Sequence, residues 1–212
     1  MRALITGGHG GLGRAFAEAL GPEVDVLALD LPEFDVGEPA AWRRLEGEFD
    51  AVFLNAGIVT GEDDMASLTD EQYRRAVGAN MDGVVFGVRE CAARLMPNGG
   101  SIVATASLAG LTATPMDPIY ALTKHAVVGF VRSVAPQLEA RGIRISALCP
   151  GFTDTPIVAE ELRGGLPADL MEPSFVAQAA LQALNDPETG RAWFVQPNRI
   201  DTFRFPSIPG PR

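Results

Sequence analysis

The 212-residue chain is long enough for one domain with a full hydrophobic core, and its 47% apolar and 21% charged residues are typical of a globular protein. The net charge of -10 argues against nucleic acid and anionic membranes as partners, because both require basic patches. The two cysteines form no CxxC or Cys/His cluster, so no metal site is predicted, and no apolar run approaches the roughly 18 residues of a membrane span.

Short apolar runs alternate with segments of helical periodicity along the whole chain. In chain order, the runs predict strands at 3–6, 24–30, 51–54, 101–106, 143–148 and 192–196. The periodic segments predict helices at 12–20, 39–48, 70–96, 118–140 and 174–184. This alternation implies βαβ units with right-handed crossovers. The predicted fold class is therefore α/β: a Rossmann-like, doubly wound parallel sheet with three αβα layers, which binds ligands beyond the carboxyl ends of its strands.

The predicted elements fit a single domain over residues 1–204. Residues 205–212 form a Pro-rich C-terminal tail that can extend neither a helix nor a strand, so we expect it to be loose or packed on a neighbouring subunit. At the other end, the apolar run at 3–6 leads at once into glycines, which favours a strand over a signal peptide. We therefore expect a cytoplasmic protein.

A glycine-rich segment, TGGHGGLG at 6–13, joins the first predicted strand to the first predicted helix. A dinucleotide-binding fold needs glycine at this junction for a tight turn and for close approach of the backbone to a pyrophosphate. The new helix offers free N–H groups to the phosphates. The candidate contacts are Gly7, Gly11, Leu12 and Gly13, and the alternative is an ordinary glycine-rich turn.

A carboxylate, Asp30, ends the second predicted strand. A dinucleotide-binding fold places an acidic residue at about this distance from the glycines, where it binds the ribose hydroxyls. Such a carboxylate repels the 2′-phosphate of NADP, and the loop position before Gly11 is Gly10 rather than a Lys or Arg that would attract it. The predicted cofactor is therefore NAD; the alternative is that Asp30 only caps the strand.

Tyr120 and Lys124 lie at i and i+4 near the start of a long predicted helix, so they share one face. A phenol has a pKa of about 10 and is a poor base at neutral pH, but a neighbouring ammonium stabilises the phenolate. The spacing makes the two residues a candidate acid/base pair, although such a pair by itself also occurs by chance.

Taken together, the motifs identify a family. The sequence resembles the short-chain dehydrogenase/reductase family in motifs that occur in the family's order: TGGHGGLG at 6–13, LNAG at 54–57, Asn80 in the long helix, Ser107 after a strand, YALTK at 120–124 and PGFTDT at 150–155. The resemblance covers essentially the whole chain.

The resemblance implies four catalytic residues. Tyr120 is expected to be the general acid of reduction and the general base of oxidation, and Ser107 to hydrogen-bond the substrate oxygen. Lys124 is expected to lower the pKa of Tyr120 and to hold the nicotinamide ribose, and Asn80 to anchor a proton-relay water. The implied cofactor-binding residues are Gly7, Gly11, Leu12, Gly13, Asp30, Asn55, Ala56, Gly57, Tyr120, Lys124, Pro150, Gly151, Thr153 and Thr155.

The sequence departs from the family after the second strand. Only Leu31–Phe34 separate Asp30 from Asp35-Val36, which resemble the family's adenine-contacting pair. A crossover between parallel neighbours needs about a dozen residues or more, so we expect a deleted helix and a shortened or absent edge strand. Whether Asp35 and Val36 contact adenine is then open.

Residues 152–172 correspond to the family's substrate lid, with Gly164-Gly165 as a possible hinge. The segment is rich in apolar residues, which favours a fairly apolar secondary alcohol or ketone as substrate, although the same residues could instead cover the core.

The predicted function is an NAD-dependent oxidoreductase that interconverts a secondary alcohol and a ketone. The main alternative is a catalytically idle NAD(H)-binding or sensing protein on the same fold. An epimerase or dehydratase fits poorly, because those relatives use a separate C-terminal substrate domain. The resemblance also implies a homodimer or homotetramer that associates through the two long helices, 73–96 and 118–140.

Overall fold

A seven-stranded sheet forms the centre of the computed structural model, which describes residues 1–166 and 169–206. Its strand order is β2-β1-β3-β4-β5-β6-β7. The strands are β1 (Arg2–Thr6), β2 (Asp25–Leu29), β3 (Ala51–Leu54), β4 (Gly100–Thr105), β5 (Ile143–Pro150), β6 (Ala192–Gln196) and β7 (Arg199–Thr202). All neighbouring strands are parallel except β6 and β7, which are antiparallel. The sheet confirms the predicted fold class.

Helices cover both faces of the sheet and complete three layers. They are α1 (Gly11–Leu20), α2 (Pro39–Arg44), α3 (Asp70–Val77), α4 (Gly83–Glu90), α5 (Pro118–Glu139), α6 (Glu160–Arg163) and α7 (Pro173–Asn185). Successive strand residues point to opposite faces, so Leu4 joins the core under α5, whereas Ile5 joins the core under α1 and α7. Because both faces are buried, the central strands are almost wholly apolar. Within the described ranges, no helix is long and apolar enough to cross a membrane.

The chain runs from β2 to α2 without an intervening helix or strand, as the short spacing predicted. Among the described residues, β2 is consequently an edge strand of the sheet. Phe34 and Val36 are buried, and the Trp42 indole holds them by donating to the Val36 carbonyl at 2.8 Å and packing edge-on against the Phe34 ring. The Val36 side chain therefore belongs to the core, while the Asp35 carboxylate accepts a hydrogen bond from Gly37 N at 2.8 Å.

The segment predicted as one helix over 70–96 is interrupted twice. Its start is confirmed, because Thr69 and Gln72 form the expected capping box. A π-helical turn at Gly78–Asp82 separates α3 from α4, and a second one at Cys91–Leu95 follows α4. The first π-helical turn carries Asn80, whose side chain forms hydrogen bonds with both backbone groups of Ile58 in the loop after β3.

The C-terminal part contains a strand that the sequence analysis did not predict. A tight turn with Asn198 at a φ of 60° sends the chain back along β6 as β7. Beyond β7, Phe205 packs against the core cluster under α5, and the Arg132 guanidinium lies 3.7 Å from its ring centre. The first residue of the expected tail thus packs on its own chain, while 207–212 lie outside the described residues.

Candidate active site

The predicted site residues converge where the carboxyl ends of β1, β3, β4 and β5 meet. Gly7 follows β1, Asn55 follows β3, Ser107 follows β4, and Pro150 ends β5. The helix α5 lies against this edge and supplies Tyr120 and Lys124. In an open α/β sheet, this edge is the general location of a ligand site.

The glycine loop is packed so tightly that side chains are excluded from it. Gly7 has a φ of +63°, in the left-handed region, and a Cβ on it would lie 2.9 Å from Ala56 Cα. A Cβ on Gly13 would overlap the Gly7 carbonyl oxygen and lie 2.7 Å from Gly8 Cα. Helix α1 begins directly in this loop, and its first N–H groups face the carboxyl edge of the sheet without intrahelical partners. The loop has the close packing that its motif predicts.

Asp30 lies beside this loop, at the end of β2. Its carboxylate accepts hydrogen bonds from His9 N at 3.0 Å and from Leu31 N at 2.9 Å. The side chain is therefore fixed against the glycine loop, and its binding of a ribose hydroxyl stays a prediction.

Asn55 connects three strands below the site. Its Nδ2 donates to the Thr6 carbonyl at 3.2 Å, and its Oδ1 accepts from Thr105 Oγ1 at 3.1 Å. The backbone N–H groups of Asn55 and Ala56 both donate to Thr6 Oγ1. Because these bonds join the ends of β1, β3 and β4, they fix the spacing of the strands that carry the site.

The catalytic candidates lie in direct contact at the start of α5. The Ser107 side chain is close enough to the Tyr120 phenol to lower its pKa. Ser107 Oγ accepts from Ala109 N at 3.1 Å and donates to the Pro150 carbonyl at 3.4 Å. Lys124 is 3% exposed, and its Nζ lies 5.4 Å from the centre of the Tyr120 ring. Lys124 Nζ donates to the Thr105 carbonyl at 2.8 Å. The structure thus brings the serine, the phenol and the ammonium to one place.

Burial dominates the acid–base properties of this cluster. It raises the pKa of Tyr120 to about 12, although the neighbouring Ser107 side chain acts in the opposite direction. Burial lowers the pKa of Lys124 to about 8. Lys124 is not among the causes that shift the pKa of Tyr120, and the expectation that Lys124 lowers this pKa stays a prediction.

Asn80 is fully buried and clamps the loop after β3. Its Oδ1 accepts from Ile58 N at 2.8 Å, while its Nδ2 donates to the Ile58 carbonyl at 2.9 Å and to Thr123 Oγ1 at 3.0 Å. A Cβ on the adjacent Gly57 would lie 3.0 Å from Asn80 Oδ1 and 3.2 Å from Lys124 Nζ. The side chain of Asn80 is occupied by these protein contacts, and its role in a water relay stays a prediction.

The segment after β5 closes the site on the other side. Thr153 and Thr155 are buried, and the Thr155 methyl group packs so closely on Gly11 that a Cβ there would approach it to 2.6 Å. Met171 returns beside Thr153 in a β-bridge, which closes the base of the expected lid. Of that lid, residues 167–168 and the side chain of Leu162 lie outside the described residues.

Two polar residues of this site were missed by the sequence analysis. Thr123 accepts from Asn80 and donates to the Tyr120 carbonyl at 2.7 Å. Asp117 caps α5 by accepting from Tyr120 N at 2.8 Å. Asp117-Pro118 is a typical helix start, an acidic N-cap followed by proline at the first helical position, and this signal was present in the sequence.

Known proteins match the chain over most of its length. A family model described as enoyl-(acyl carrier protein) reductase matches residues 12–192. An uncharacterised short-chain type dehydrogenase/reductase of Sinorhizobium fredii is 34% identical over 76% of this chain, but the match spans only 34% of that protein. 3beta-Hydroxysteroid dehydrogenase 2 of Eggerthella lenta is 32% identical, with 73% of this chain and 72% of the relative covered. A 2,5-dichloro-2,5-cyclohexadiene-1,4-diol dehydrogenase of Sphingobium indicum is 31% identical, with 86% and 89% covered.

Solved structures share the fold. A 3-oxoacyl-[acyl-carrier protein] reductase from Brucella melitensis with bound NAD has a TM-score of 0.77 at 29% identity, and the match covers 92% of this chain and 88% of that one. A small-chain dehydrogenase in complex with NADPH has the same TM-score at 21% identity, with 92% and 96% covered. From the family model and the relatives, the chain belongs to the short-chain dehydrogenase/reductase family of oxidoreductases.

Proposed function

We propose that this protein is an NAD-dependent oxidoreductase that interconverts a secondary alcohol and a ketone. The observation that carries the proposal is the proximity of the Tyr120 phenol to Ser107 and to Lys124, whose Nζ lies 5.4 Å from the centre of the Tyr120 ring, beside a glycine loop. A protein that only binds a dinucleotide does not require a phenol and a hydroxyl side by side, as Tyr120 and Ser107 are.

The described residues fit a dinucleotide. The glycine loop is compact, since a Cβ on Gly13 would overlap the Gly7 carbonyl oxygen, and the N-terminus of α1 would supply N–H groups for the pyrophosphate. Asp30 would bind a ribose of the dinucleotide, and Lys124, Thr153 and Thr155 would hold its nicotinamide end. When bound, the dinucleotide donates or accepts the hydride.

The protein's own residues handle the proton. Ser107 Oγ holds the substrate oxygen, and Tyr120 donates its phenolic proton to that oxygen in the reduction. A phenol with a pKa of about 12 is protonated at neutral pH, which suits the acid of a reduction. In the oxidation, the same oxygen of Tyr120 takes the proton back.

Asp30 is expected to set the preference for NADH over NADPH. In the Asp30→Asn variant, we expect the ratio of kcat/KM for NADH to that for NADPH to fall about 10- to 100-fold, because the charge that repels the 2′-phosphate is gone. The measurement is steady-state kinetics with both cofactors. Asp35→Asn is the matched control, since within the described residues the Asp35 carboxylate accepts a hydrogen bond only from Gly37 N. An unchanged ratio in Asp30→Asn, or a native preference for NADPH, would contradict the assignment.

The proposed substrates are fairly apolar, cyclic secondary alcohols and the corresponding ketones. Apolar side chains flank the segments that carry the site: Leu108 and Met171 lie beside Gly151. Met116, just before α5, and Ile157, after β5, are about two-fifths exposed. Two relatives carry names of dehydrogenases for ring alcohols, a hydroxysteroid and a cyclohexadienediol.

The test is NADH oxidation at 340 nm with matched cyclic and linear ketones, together with calorimetry of NADH binding. Turnover of cyclic ketones supports the proposal. Binding of NADH without turnover of any ketone or alcohol would support the sensing protein instead.

We also propose that the protein forms a homodimer or homotetramer through α4 and α5. A groove between these helices is lined entirely by apolar residues, namely Met81, Val84, Val85, Ala126, Val127 and Phe130. Val85 is 39% exposed in the single chain, so a second copy would remove this surface from water. Light scattering at micromolar concentration is expected to give a multiple of 22.4 kDa, and Val85→Glu to shift it towards the single-chain mass. Leu31→Glu, at another exposed apolar site, is the control; a native monomer would contradict the proposal.

A further inference from the structure

Asp117 is a buried carboxylate at the start of α5, held by four donors. Asp117 is only 6% exposed. Its Oδ1 accepts from Tyr120 N at 2.8 Å and from Thr60 Oγ1 at 2.7 Å. Its Oδ2 accepts from Thr60 N at 2.6 Å and from Gly61 N at 3.2 Å. The carboxylate therefore ties the first turn of α5 to the loop that follows β3.

Tyr120 is consequently held to this loop from both of its backbone groups. Its N–H donates to Asp117, which binds Thr60. Its carbonyl accepts from Thr123 Oγ1, which in turn accepts from Asn80, and Asn80 binds the same loop at its other end. Asn80 thus binds Ile58 and Asp117 binds Thr60, on either side of Val59, which is 40% exposed.

We propose that Asp117 is a positioning residue of the reaction: it locks the loop at 58–61 to the backbone of Tyr120, so that the phenol and the wall of the substrate cleft keep one fixed separation. An ordinary N-cap needs only one or two N–H donors of its own helix. Here, three of the four donors come from the loop and one from the helix. The proposal rests on the role of Tyr120 proposed above.

The charge of Asp117 also reaches Tyr120. The groups that face the phenol are Ser107, Asp117, Cys149 and Lys124, and the carboxylate of Asp117 is one of the causes that raise the pKa of Tyr120. No ion pair within residues 1–166 and 169–206 involves Asp117, so its charge is balanced by N–H and O–H donors alone. Loss of this charge is therefore expected to move the titration of Tyr120 to lower pH.

Two variants distinguish the effect of the Asp117 charge from the effect of its hydrogen bonds to the loop at 58–61. Asp117→Asn removes the charge and turns an NH2 group towards the N–H groups of Thr60 and Gly61, so it breaks these hydrogen bonds as well. Thr60→Val removes the hydroxyl contact to Asp117, together with the bond that Glu62 N donates to this hydroxyl, and leaves Asp117 charged and capping α5. Asp186→Asn is the matched control, because Asp186 is a buried carboxylate that bonds to Glu188 N and Arg191 near the opposite edge of the sheet.

The first measurement is steady-state kinetics of the full chain. We expect kcat to fall about tenfold or more in both Asp117→Asn and Thr60→Val, with the KM for NADH unchanged, because misplacement of reacting groups by a fraction of an ångström lowers the rate of chemistry rather than cofactor affinity. The Asp186→Asn variant is expected to keep its kcat. Unchanged kcat in Thr60→Val would overturn the proposal even if Asp117→Asn fails to fold.

The second measurement follows Tyr120 directly. With Tyr73→Phe as background, Tyr120 is the only tyrosine, and [13Cζ]tyrosine gives a single NMR resonance. We expect this resonance to titrate at lower pH in Asp117→Asn than in the background, and at the same pH in Thr60→Val and Asp186→Asn. If Tyr120 titrates at the same pH in all variants, the expected effect of the Asp117 charge on Tyr120 is contradicted.

The variants also distinguish this inference from the proposed function. If Tyr120→Phe stays active, the proposed function itself fails. If Tyr120→Phe is inactive but Asp117→Asn and Thr60→Val turn over normally, only this inference fails.

Discussion

Replacement of Tyr120 by phenylalanine is expected to abolish turnover while the fold and the binding of NADH are retained. The change removes the proton donor and keeps the ring that packs beside Lys124. General acid–base catalysis by a positioned group contributes roughly 10²- to 10⁴-fold, so we expect kcat to fall by at least about 10²-fold. The measurement is kcat from NADH absorbance, with the Kd of NADH from calorimetry.

The sequence offers a close control for this experiment. Tyr73 is the only other tyrosine, and it is 42% exposed on α3, away from the site. Tyr73→Phe makes the same chemical change and is expected to keep the native kcat. If Tyr120→Phe retains activity within a few-fold of the unaltered protein, Tyr120 is not the acid of the reaction.

Replacement of Lys124 by methionine is expected to raise stability and to remove activity at the same time. Burial lowers the pKa of Lys124 from 10.5 to about 8, so its ammonium costs about 3 kcal/mol of stability at neutral pH. Methionine fills a similar volume without a charge, but the bond to the Thr105 carbonyl is lost, which offsets about 1 kcal/mol. We therefore expect Lys124→Met to be about 2 kcal/mol more stable at pH 7, by urea unfolding, with little turnover.

The pH dependence of the stability difference between Lys124→Met and the unaltered protein gives a second check. Between about pH 8 and 10.5 the unfolded chain holds the lysine proton and the folded chain does not, so folding becomes more favourable as the pH rises. The stability gain of Lys124→Met should thus be full below about pH 8 and disappear by about 10.5. Cys91, whose pKa burial raises from 9.0 to about 12, destabilises the fold above pH 9 in both proteins and cancels. Burial also raises the pKa of Cys149 to about 12, but the charge of Lys124 acts on this thiol, so its contribution above pH 9 differs between the two proteins.

Lys124 can also be observed alone, because it is the only lysine in the sequence. A protein with 13C-labelled lysine gives one set of side-chain resonances, and we expect their titration midpoint near the pKa of about 8. A midpoint near 10.5, or a Lys124→Met variant that is less stable at every pH, would contradict the effect of burial described above.

Local spacing was sufficient to predict much of this molecule. The glycine loop, Asp30 and the Tyr120–Lys124 pair are short-range patterns, and the structure places each at the carboxyl edge of the sheet, as the alternation of strands and helices predicted. The missing crossover after β2 could be predicted as well, because a strand that ends at Asp30 leaves too few residues for one.

Features that depend on distant contacts could not be predicted. The π-helical turn at Gly78–Asp82 accompanies hydrogen bonds of Asn80 to Ile58 and Thr123, which helical periodicity does not reveal. Strand β7 is short, and two of its residues are exposed, so its pairing with β6 follows from the turn at Asn198 rather than from an apolar pattern. The spacing of Tyr120 and Lys124 predicted their contact but not their loss of water, which decides both pKa values.

The edge position of β2 also affects the solubility of the protein. An edge strand presents unpaired N–H and C=O groups on which another chain can assemble, and Val26–Leu29 of this strand are all apolar. Two carboxylates flank this apolar stretch: Asp25 begins the strand, and Asp30 follows it. Charges at the ends of such a stretch act as gatekeepers against aggregation. Under the proposed function, Asp30 would thus serve two purposes. Neutralising it to admit NADPH would also remove one of the two charges that flank this edge strand.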